Sequence, residues 1–347
     1  MRVQHNVWYV CALSEQIDRQ LRRKVIVDEP VLLYRTEAGQ VIALRDRCPH
    51  RFAPLSRGKL LNDVVQCGYH GLQFNTDGSC VHNPHGNVIA PNNRVRSFPV
   101  IERHGLVWLW PGDPEKASPD VIPDLSYMTA PNLKTVHRYL EANYRHDILV
   151  DNLLDLTHTD YLHLGSFASG ACERSDIKVT ETNNEVMTVL SQFNAPAPPH
   201  MLNSSIDRVD LQYRIRWHPG QVMTFEMATA PVGGDLATAP FYRFAHIATP
   251  ESDNKTHYFI SFTRDFDLDN LELDRQIADF QVAAIEREDG SMLEAVQAEM
   301  RNGDLHEMRP VMLPTDAGAL RVRRIIKQLV ETEEAGRRRV GNILAEA

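Results

Sequence analysis

Over the first 110 positions, apolar and β-branched residues fall in short runs closed by polar turn formers. Val7–Leu13, Val25–Val27, Val31–Tyr34 and Val41–Leu44 read as strands, the last three separated by Asp28-Glu29-Pro30 and Glu37-Ala38-Gly39-Gln40. Further strands are expected over Leu72–Phe74, Arg94–Val100 and Leu106–Trp110, with a turn at Asp77-Gly78. This spacing predicts a small antiparallel β-sandwich. Pro111, Pro114, Pro119, Pro123 and Pro131 then fall within 21 residues, the mark of a surface linker. The domain boundary is placed there, giving an all-β domain over 1–112 and a second domain over 113–347. In the second, Leu149–His163 reads as a helix, and Val186–Phe193, Leu211–Trp217, Val222–Ala230, Tyr242–Ala248 and Thr256–Thr263 as strands. Asn270 is positioned to cap a long helix toward Met300, and Asp316 another to about Glu333. Strands followed by helices, without βαβ alternation, predict an α+β fold on an antiparallel sheet.

Composition narrows the function. A chain of 347 residues exceeds one compact core and suits two domains. No run approaches the 18 apolar residues of a membrane span. Val7–Leu13 lacks a basic flank and a small-residue cleavage site, so it reads as a buried strand rather than a signal peptide. The net charge of −9 argues against a nucleic-acid or anionic-membrane partner. Five cysteines, few and odd in number, argue against a disulfide framework and for a reducing cytoplasm.

Two of those cysteines lie in a pattern. Cys48-Pro-His50 is followed, after 16 residues, by Cys67-Gly-Tyr-His70, both on loops between expected strands. Two Cys and two His satisfy a structural zinc site on count, although zinc sites more often pair Cys with Cys and His with His. The same residues also fit buried cysteines beside unrelated surface histidines. A third reading is a Rieske [2Fe–2S] cluster, in which two His replace two Cys on one iron. Pro49, Ala53, Pro54, Gly58, Gly68 and Gly71 suit loops that turn backbone N–H groups toward cluster sulfurs.

A second constellation is Asp151-Asn152-Leu-Leu-Asp155-Leu-Thr-His158-Thr-Asp-Tyr-Leu-His163. On a helix, Asp151, Asp155 and His158 share a face. His158 and His163 stand about 140° apart on an ideal helix, so a shared metal requires a distortion between them or His163 beyond the helix end. Gly165 is consistent with such an end. The plain alternative is an amphipathic helix with a solvated polar face. Two His and one carboxylate with open positions are the ligand set of mononuclear iron(II) oxygenases, a natural electron acceptor for a Rieske cluster. Helical phase offers Asp289 as the carboxylate, within about 60° of Ala278, Val282, Ile285 and Leu293 on an apolar face. Such a carboxylate is costly unless compensated, as an iron would do; the alternative is a helix-end carboxylate beside Gly290.

The string Cys48-Pro-His50-Arg51 … Cys67-Gly-Tyr-His70-Gly71 resembles the Rieske motif of ring-hydroxylating oxygenases. The Asp-x3-Asp-x2-His-x4-His string resembles the mononuclear-iron motif of the same Rieske non-heme iron oxygenases. His70-Gly71-Leu72, Asn6-Val-Trp8-Tyr9-Val10 and Arg287-Glu288-Asp289 look most like the vanillate and dicamba O-demethylase branch. The resemblance implies Cys48 and Cys67 on one cluster iron, His50 and His70 on the other, and His158, His163 and Asp289 on the mononuclear Fe(2+). It implies a head-to-tail homotrimer in which Asp155 bridges the cluster His70 of one subunit to the iron His158 of the next. It also implies electrons from NAD(P)H through a separate flavin- or ferredoxin-type reductase. The expected activity is O2-dependent O-demethylation of a methoxylated aromatic acid with release of formaldehyde. Ring or methyl hydroxylation and N-demethylation are alternatives, as is a non-catalytic iron–sulfur electron carrier.

Substrate contacts are the weakest part of the pattern. Phe225, His246, Phe280 and Asn152 are candidates, His246 as a donor to a substrate carboxylate or else as a structural histidine. Gly165–Ser175 and Ala195–Pro199 are read as covers for the site or as plain surface loops. Arg47, Arg51, Arg57 and Lys59 dock a reductase or form an ordinary charged surface; Arg337-Arg338-Arg339 reads as a solvated helix end. Cys11, Cys80 and Cys172 are read as packing residues.

Overall fold

The computed structural model describes residues 3–163, 170–198, 207–239, 241–301, 303 and 305–346. Residues 165–169 of the first expected cover and Pro199 of the second lie outside this set. Internal contacts divide the chain into Met1–Ile122 and Pro123–Ala347.

The first unit is antiparallel β. Strands β1 (Tyr9–Leu13), β10 (Leu106–Leu109) and β9 (Val100–Arg103) form one sheet, and β2 (Arg22–Ile26), β3 (Glu29–Arg35) and β4 (Val41–Arg45) a second. The third, in the order β5 (Lys59–Leu61), β6 (Val64–Gln66), β7 (Gln73–Phe74) and β8 (Cys80–His82), is built from very short strands. The expected strand over Arg94–Val100 does not form: isolated bridges from Arg94 to Ser79 and from Ser97 to Leu44 replace it. Pro114 and Pro119 each open a 3-10 turn, capped by Asp113 and Ser118, because their missing N–H costs nothing there.

The second unit is one seven-stranded antiparallel sheet. Its order is β11 (Lys134–Ala142), β17 (Lys255–Arg264), β16 (Phe241–Ser252), β15 (Val222–Pro231), β14 (Arg208–His218), β13 (Glu185–Pro196) and β12 (Asp176–Thr182). The central strands alternate, so Tyr213, Ile215, Phe225 and Phe244 enter one core with Leu149, Leu293 and Val322 from the helices. Burying a side chain of this kind contributes roughly 1.5–3 kcal/mol, so sheet–helix packing holds the catalytic half in register.

Two helices depart from regular geometry. The expected helix over Leu149–His163 is α1 (His146–Leu154), an extended Asp155, a 3-10 turn over Leu156–His158, and α2 (Thr159–Leu162). Asp155 stops α1 at φ −115° and ψ 92°, and its carboxylate caps the next turn through Thr157 N at 2.9 Å. Asp151, Asp155 and His158 therefore do not share one helical face. The long helix after Asn270, whose side chain accepts from Leu273 N, is α3 (Leu271–Phe280), a π-helical stretch over Gln281–Asp289, and α4 (Gly290–Met300). After the short α5 (Leu305–Met308), α6 (Ala317–Glu346) begins one residue past Asp316 and packs on β12 and β13.

Candidate metal centres

The two Cys–His loops have one construction. Cys48 N donates to Ala53 O and Phe52 N to Cys48 O; Cys67 N donates to Leu72 O and Gly71 N to Cys67 O. In both, the residue four past the cysteine has positive φ, +59° at Phe52 and +75° at Gly71. Glycine takes that conformation without strain, whereas Phe52 holds it at a steric cost. Asp46, buried, anchors the first loop by accepting from Ser56 N and Ser56 Oγ, each at 2.7 Å, and from Arg23 at 2.6 Å. The loops place Cys48 and Cys67 inward and buried, with the His50 and His70 rings 4.5 Å apart nearer solvent. Burial pushes the Cys48 thiol up, the neighbouring Cys67 adds to it, and backbone N–H groups of His50 and Arg51 oppose. Two thiolates in so dry a place require a cation, and the backbone donors are placed for sulfur, so the residues fit the cluster. Cys11, Cys80 and Cys172 are free, Cys11 donating to Val107 O and Cys172 taking a contact from Gln192.

In the second unit His158, His163 and Asp289 converge, their ligand atoms all within 4.8 Å of one another. His163 is the residue just past α2, which resolves the angular conflict with His158. His158 Nδ1 lies 2.6 Å from the main-chain oxygen of Asp155, and His163 Nδ1 2.6 Å from Glu288 Oε2. Both acceptors lack protons, so each Nδ1 carries its hydrogen and each Nε2 presents a lone pair. Those Nε2 atoms lie 3.4 Å (His158) and 3.2 Å (His163) from Asp289 Oδ1. Lone pairs facing a carboxylate need a cation between them, and an iron(II) ion meets that need. Asp289 is itself buried, so its carboxylate too calls for a cation to stay ionised. Asn152 Nδ2 donates to Asp289 Oδ1 at 3.3 Å.

Asp155 is oriented differently from the resemblance. Its backbone meets His158, while its carboxylate accepts from Thr157 and, at 3.0 Å, from Thr315 Oγ1 just ahead of α6. Asp151 pairs instead with Arg323. Three contacts were not legible in the sequence. Glu288 reaches His163, though the regular-helix phase turned it away; Phe244 lines the pocket; Tyr258 meets His246 at 2.7 Å. The π-helical stretch was the missing signal for the first, and π segments cluster at functional sites.

Beside His158, His163 and Asp289 lies a pocket lined by Asn152, Phe225, Phe244, His246 and Phe280. All four residues expected at the substrate thus share one cavity.

A β domain with two Cys–His loops and a sheet-and-helix domain with a two-His-one-carboxylate set together define a Rieske-type oxygenase. The Rieske [2Fe-2S] domain family matches residues 7–99, and the vanillate O-demethylase oxygenase C-terminal domain family matches residues 141–332. The oxygenase component of dicamba O-demethylase from Stenotrophomonas maltophilia is 39% identical, over 95% of this chain and 98% of that protein. The oxygenase component of chloroacetanilide N-alkylformylase from Rhizorhabdus wittichii is 35% identical, over 94% and 96%. The crystal structure of dicamba monooxygenase bound to 3,6-dichlorosalicylic acid superposes with a TM-score of 0.90 at 38% identity, covering 95% of this chain and 98% of that one. The chain belongs to the Rieske non-heme iron oxygenases, in the group of the vanillate and dicamba O-demethylase oxygenase components. It is a catalytically competent monooxygenase of that family.

Proposed function

We propose that the protein is the oxygenase component of an O-demethylase that removes a methyl group from a methoxylated aromatic. The observation that carries this is the His158–His163–Asp289 set beneath a pocket walled by Phe225, Phe244 and Phe280. The reaction balances as Ar–OCH3 + O2 + 2 electrons + 2 protons giving Ar–OH, formaldehyde and water. One oxygen atom enters a methyl C–H bond, and the resulting hemiacetal expels formaldehyde. When bound, the cluster held by Cys48, His50, Cys67 and His70 supplies single electrons, and an iron(II) held by His158, His163 and Asp289 supplies O2 activation.

The chain's own residues do the rest. Glu288 and the Asp155 carbonyl hold the two imidazoles with their Nε2 lone pairs inward. Asn152 keeps Asp289 in place. The Phe225, Phe244 and Phe280 rings clamp an aromatic substrate and exclude water. Electrons arrive from NAD(P)H through a separate flavin- or ferredoxin-type reductase. Asp155, through its main-chain oxygen on His158 Nδ1, serves the crossing between subunits of a head-to-tail trimer.

A related reading is N-dealkylation, favoured by the 35% identity to a chloroacetanilide N-alkylformylase component. The test is oxygen uptake with a surrogate reductase over a panel of methoxylated aromatics. Stoichiometric formaldehyde and phenol support O-demethylation; a hydroxylated product that retains its methoxy group overturns it.

A further inference from the structure

We infer that Thr315, just ahead of α6, is a positioning residue for the iron site. Its hydroxyl holds the Asp155 carboxylate, and through it the backbone carbonyl that sets the ring of His158. The inference goes beyond the demethylase reading and is indifferent to the substrate.

The first argument is where α1 stops. Asp155 N still donates to Asp151 O at 3.2 Å, but Asp155 itself leaves the helix at φ −115° and ψ 92°. Had α1 continued, the Asp155 carbonyl would accept from Thr159 N, four residues on. Its oxygen instead lies 2.6 Å from His158 Nδ1 and fixes the tautomer whose Nε2 faces Asp289. Whatever keeps Asp155 extended therefore keeps His158 in position.

The second argument is what keeps it extended. Asp155 Oδ1 accepts from Thr157 N at 2.9 Å and from Thr157 Oγ1 at 2.6 Å, both local contacts. Oδ2 accepts from Thr315 Oγ1 at 3.0 Å, 160 residues away. A hydroxyl bonded to an ionised acceptor is stronger than a neutral pair. This one ties the break in α1 to a separate element of the fold. A cavity of only about 10 Å3 adjoins it, lined by Leu154, Asp155, Leu190 and Thr315. That is about one water-sized sphere, too little room for the carboxylate to take another rotamer.

The third argument is that Thr315 is itself firmly placed. It lies in a 3-10 turn over Pro314–Asp316, closed by Leu313 N on Asp316 Oδ2 at 2.6 Å and by Asp316 N on Leu313 O at 3.1 Å. Three residues on, a Cβ at Gly318 would lie 2.5 Å from Thr188 Oγ1 and 3.7 Å from Leu154 Cβ. Glycine there lets α6 close on β13 and on the end of α1. Arg323, further along α6, pairs with Asp151, one turn before Asp155. The two aspartates of the iron motif are thus held from one side, Asp151 by a guanidinium and Asp155 by a hydroxyl.

The test is the iron(II) affinity of the cluster-loaded protein, measured by chelator competition without oxygen. Groups that touch a metal ligand change affinity by about 10- to 100-fold, so a residue one contact further out should change it by about three- to tenfold. Thr315→Val should lose that much and Thr315→Ser should bind as the parent does, with the visible spectrum of the cluster unchanged in both. Arg321→Met removes a bond to Val179 O at 2.7 Å, loosens α6 elsewhere, and should leave iron affinity unchanged. In an Asp155→Ala background, Thr315→Val should have no further effect, because the two residues act along one path. Parent-like affinity in Thr315→Val, no rescue by Thr315→Ser, an equal loss in Arg321→Met, or additive losses with Asp155→Ala would each overturn the inference. If Thr315→Val fails to fold, Thr315→Ala is judged by the same criteria. Formaldehyde is read separately: its absence, with iron affinities as expected, removes the demethylase reading and leaves the role of Thr315 standing.

Discussion

Glu288 Oε2 lies 2.6 Å from His163 Nδ1, while the adjacent Asp289 turns its carboxylate to the other nitrogen of the same ring, 3.2 Å from Nε2. Consecutive carboxylates thus grip one imidazole from both ends. The π-helical stretch over Gln281–Asp289 is the backbone on which both sit. Glu288 fixes the tautomer that leaves Nε2 free to bind a metal, and partial charge transfer makes that nitrogen a stronger donor. Glu288→Ala should weaken iron binding by about 10- to 100-fold, with Glu288→Gln between it and the parent, because an amide oxygen still accepts from Nδ1. Competition with a graded series of chelators measures this directly. Unchanged iron retention in Glu288→Ala would show that His163 needs no such support.

Asp289 is buried beside the Nε2 atoms of His158 and His163. Asp289→Ala removes the only acid among the described residues lining the pocket. Iron per chain should fall from about three to about two, with the visible spectrum of the cluster preserved, because the Cys48 and Cys67 loops lie in the other contact unit. Product formation should drop by at least about 100-fold while the cluster remains reducible by dithionite. Loss of the cluster spectrum as well would mean that the substitution damages folding rather than one metal site.

Much of the architecture could be read from pattern because β13 and β14 alternate buried and partly exposed positions, while β16 and β17 are apolar runs buried on both faces. The edge strands β11 and β12 went unseen for the complementary reason. Lys134–Ala142 is half-buried almost throughout, and Asp176–Thr182 alternates only over Ile177 and Val179 before an exposed end, too short a pattern to mark a strand. Arg94–Val100 failed in the opposite direction: its apolar residues anchor a loop, with Val95 and Phe98 buried without a ladder. The metal residues were legible because ligand chemistry restricts residue type and spacing to few options. Asp289 was reached through regular helical phase even though the nine residues over Gln281–Asp289 are π-helical, with more residues per turn and so a slower rotation; it stays buried all the same. The same slower rotation brought Glu288 within reach of His163. Tyr258 had no signal at all, being one more aromatic in an apolar strand.

Arg264 ties the end of β17 to α3. Its side chain is fully buried, accepted by Phe266 O and Asp267 O at 3.1 Å each and by Asp274 Oδ1 at 2.6 Å. Removing the partner of a buried charge typically costs about 3–5 kcal/mol. Asp274 is itself partly exposed, and the carbonyl contacts to Phe266, Asp267 and Asn270 remain, so Asp274→Ala should cost nearer about 2–3 kcal/mol. Urea unfolding followed by tryptophan fluorescence checks this. A loss under about 0.5 kcal/mol would mean that the carbonyls alone carry the guanidinium.

His246 makes stability pH-dependent in a direction that geometry fixes. Burial depresses its folded-state pKa to about 4, with Asp289 offsetting only part, whereas an unfolded histidine titrates near 6.5. Between those values the unfolded chain binds the proton and the native protein refuses it. The native state therefore keeps its full margin above about pH 6.5 and loses it progressively as pH falls toward 4. One unit is worth 1.36 kcal/mol, so the loss attributable to this group is about 2 kcal/mol at pH 5. His246→Gln cannot titrate and still offers an amide oxygen to the Tyr258 hydroxyl. Its unfolding free energy, measured in urea at pH 7.5 and pH 5, should fall by about 2 kcal/mol less than that of the parent protein. Equal falls in the two proteins would place the acid sensitivity elsewhere and would mean that His246 accepts a proton in the folded state.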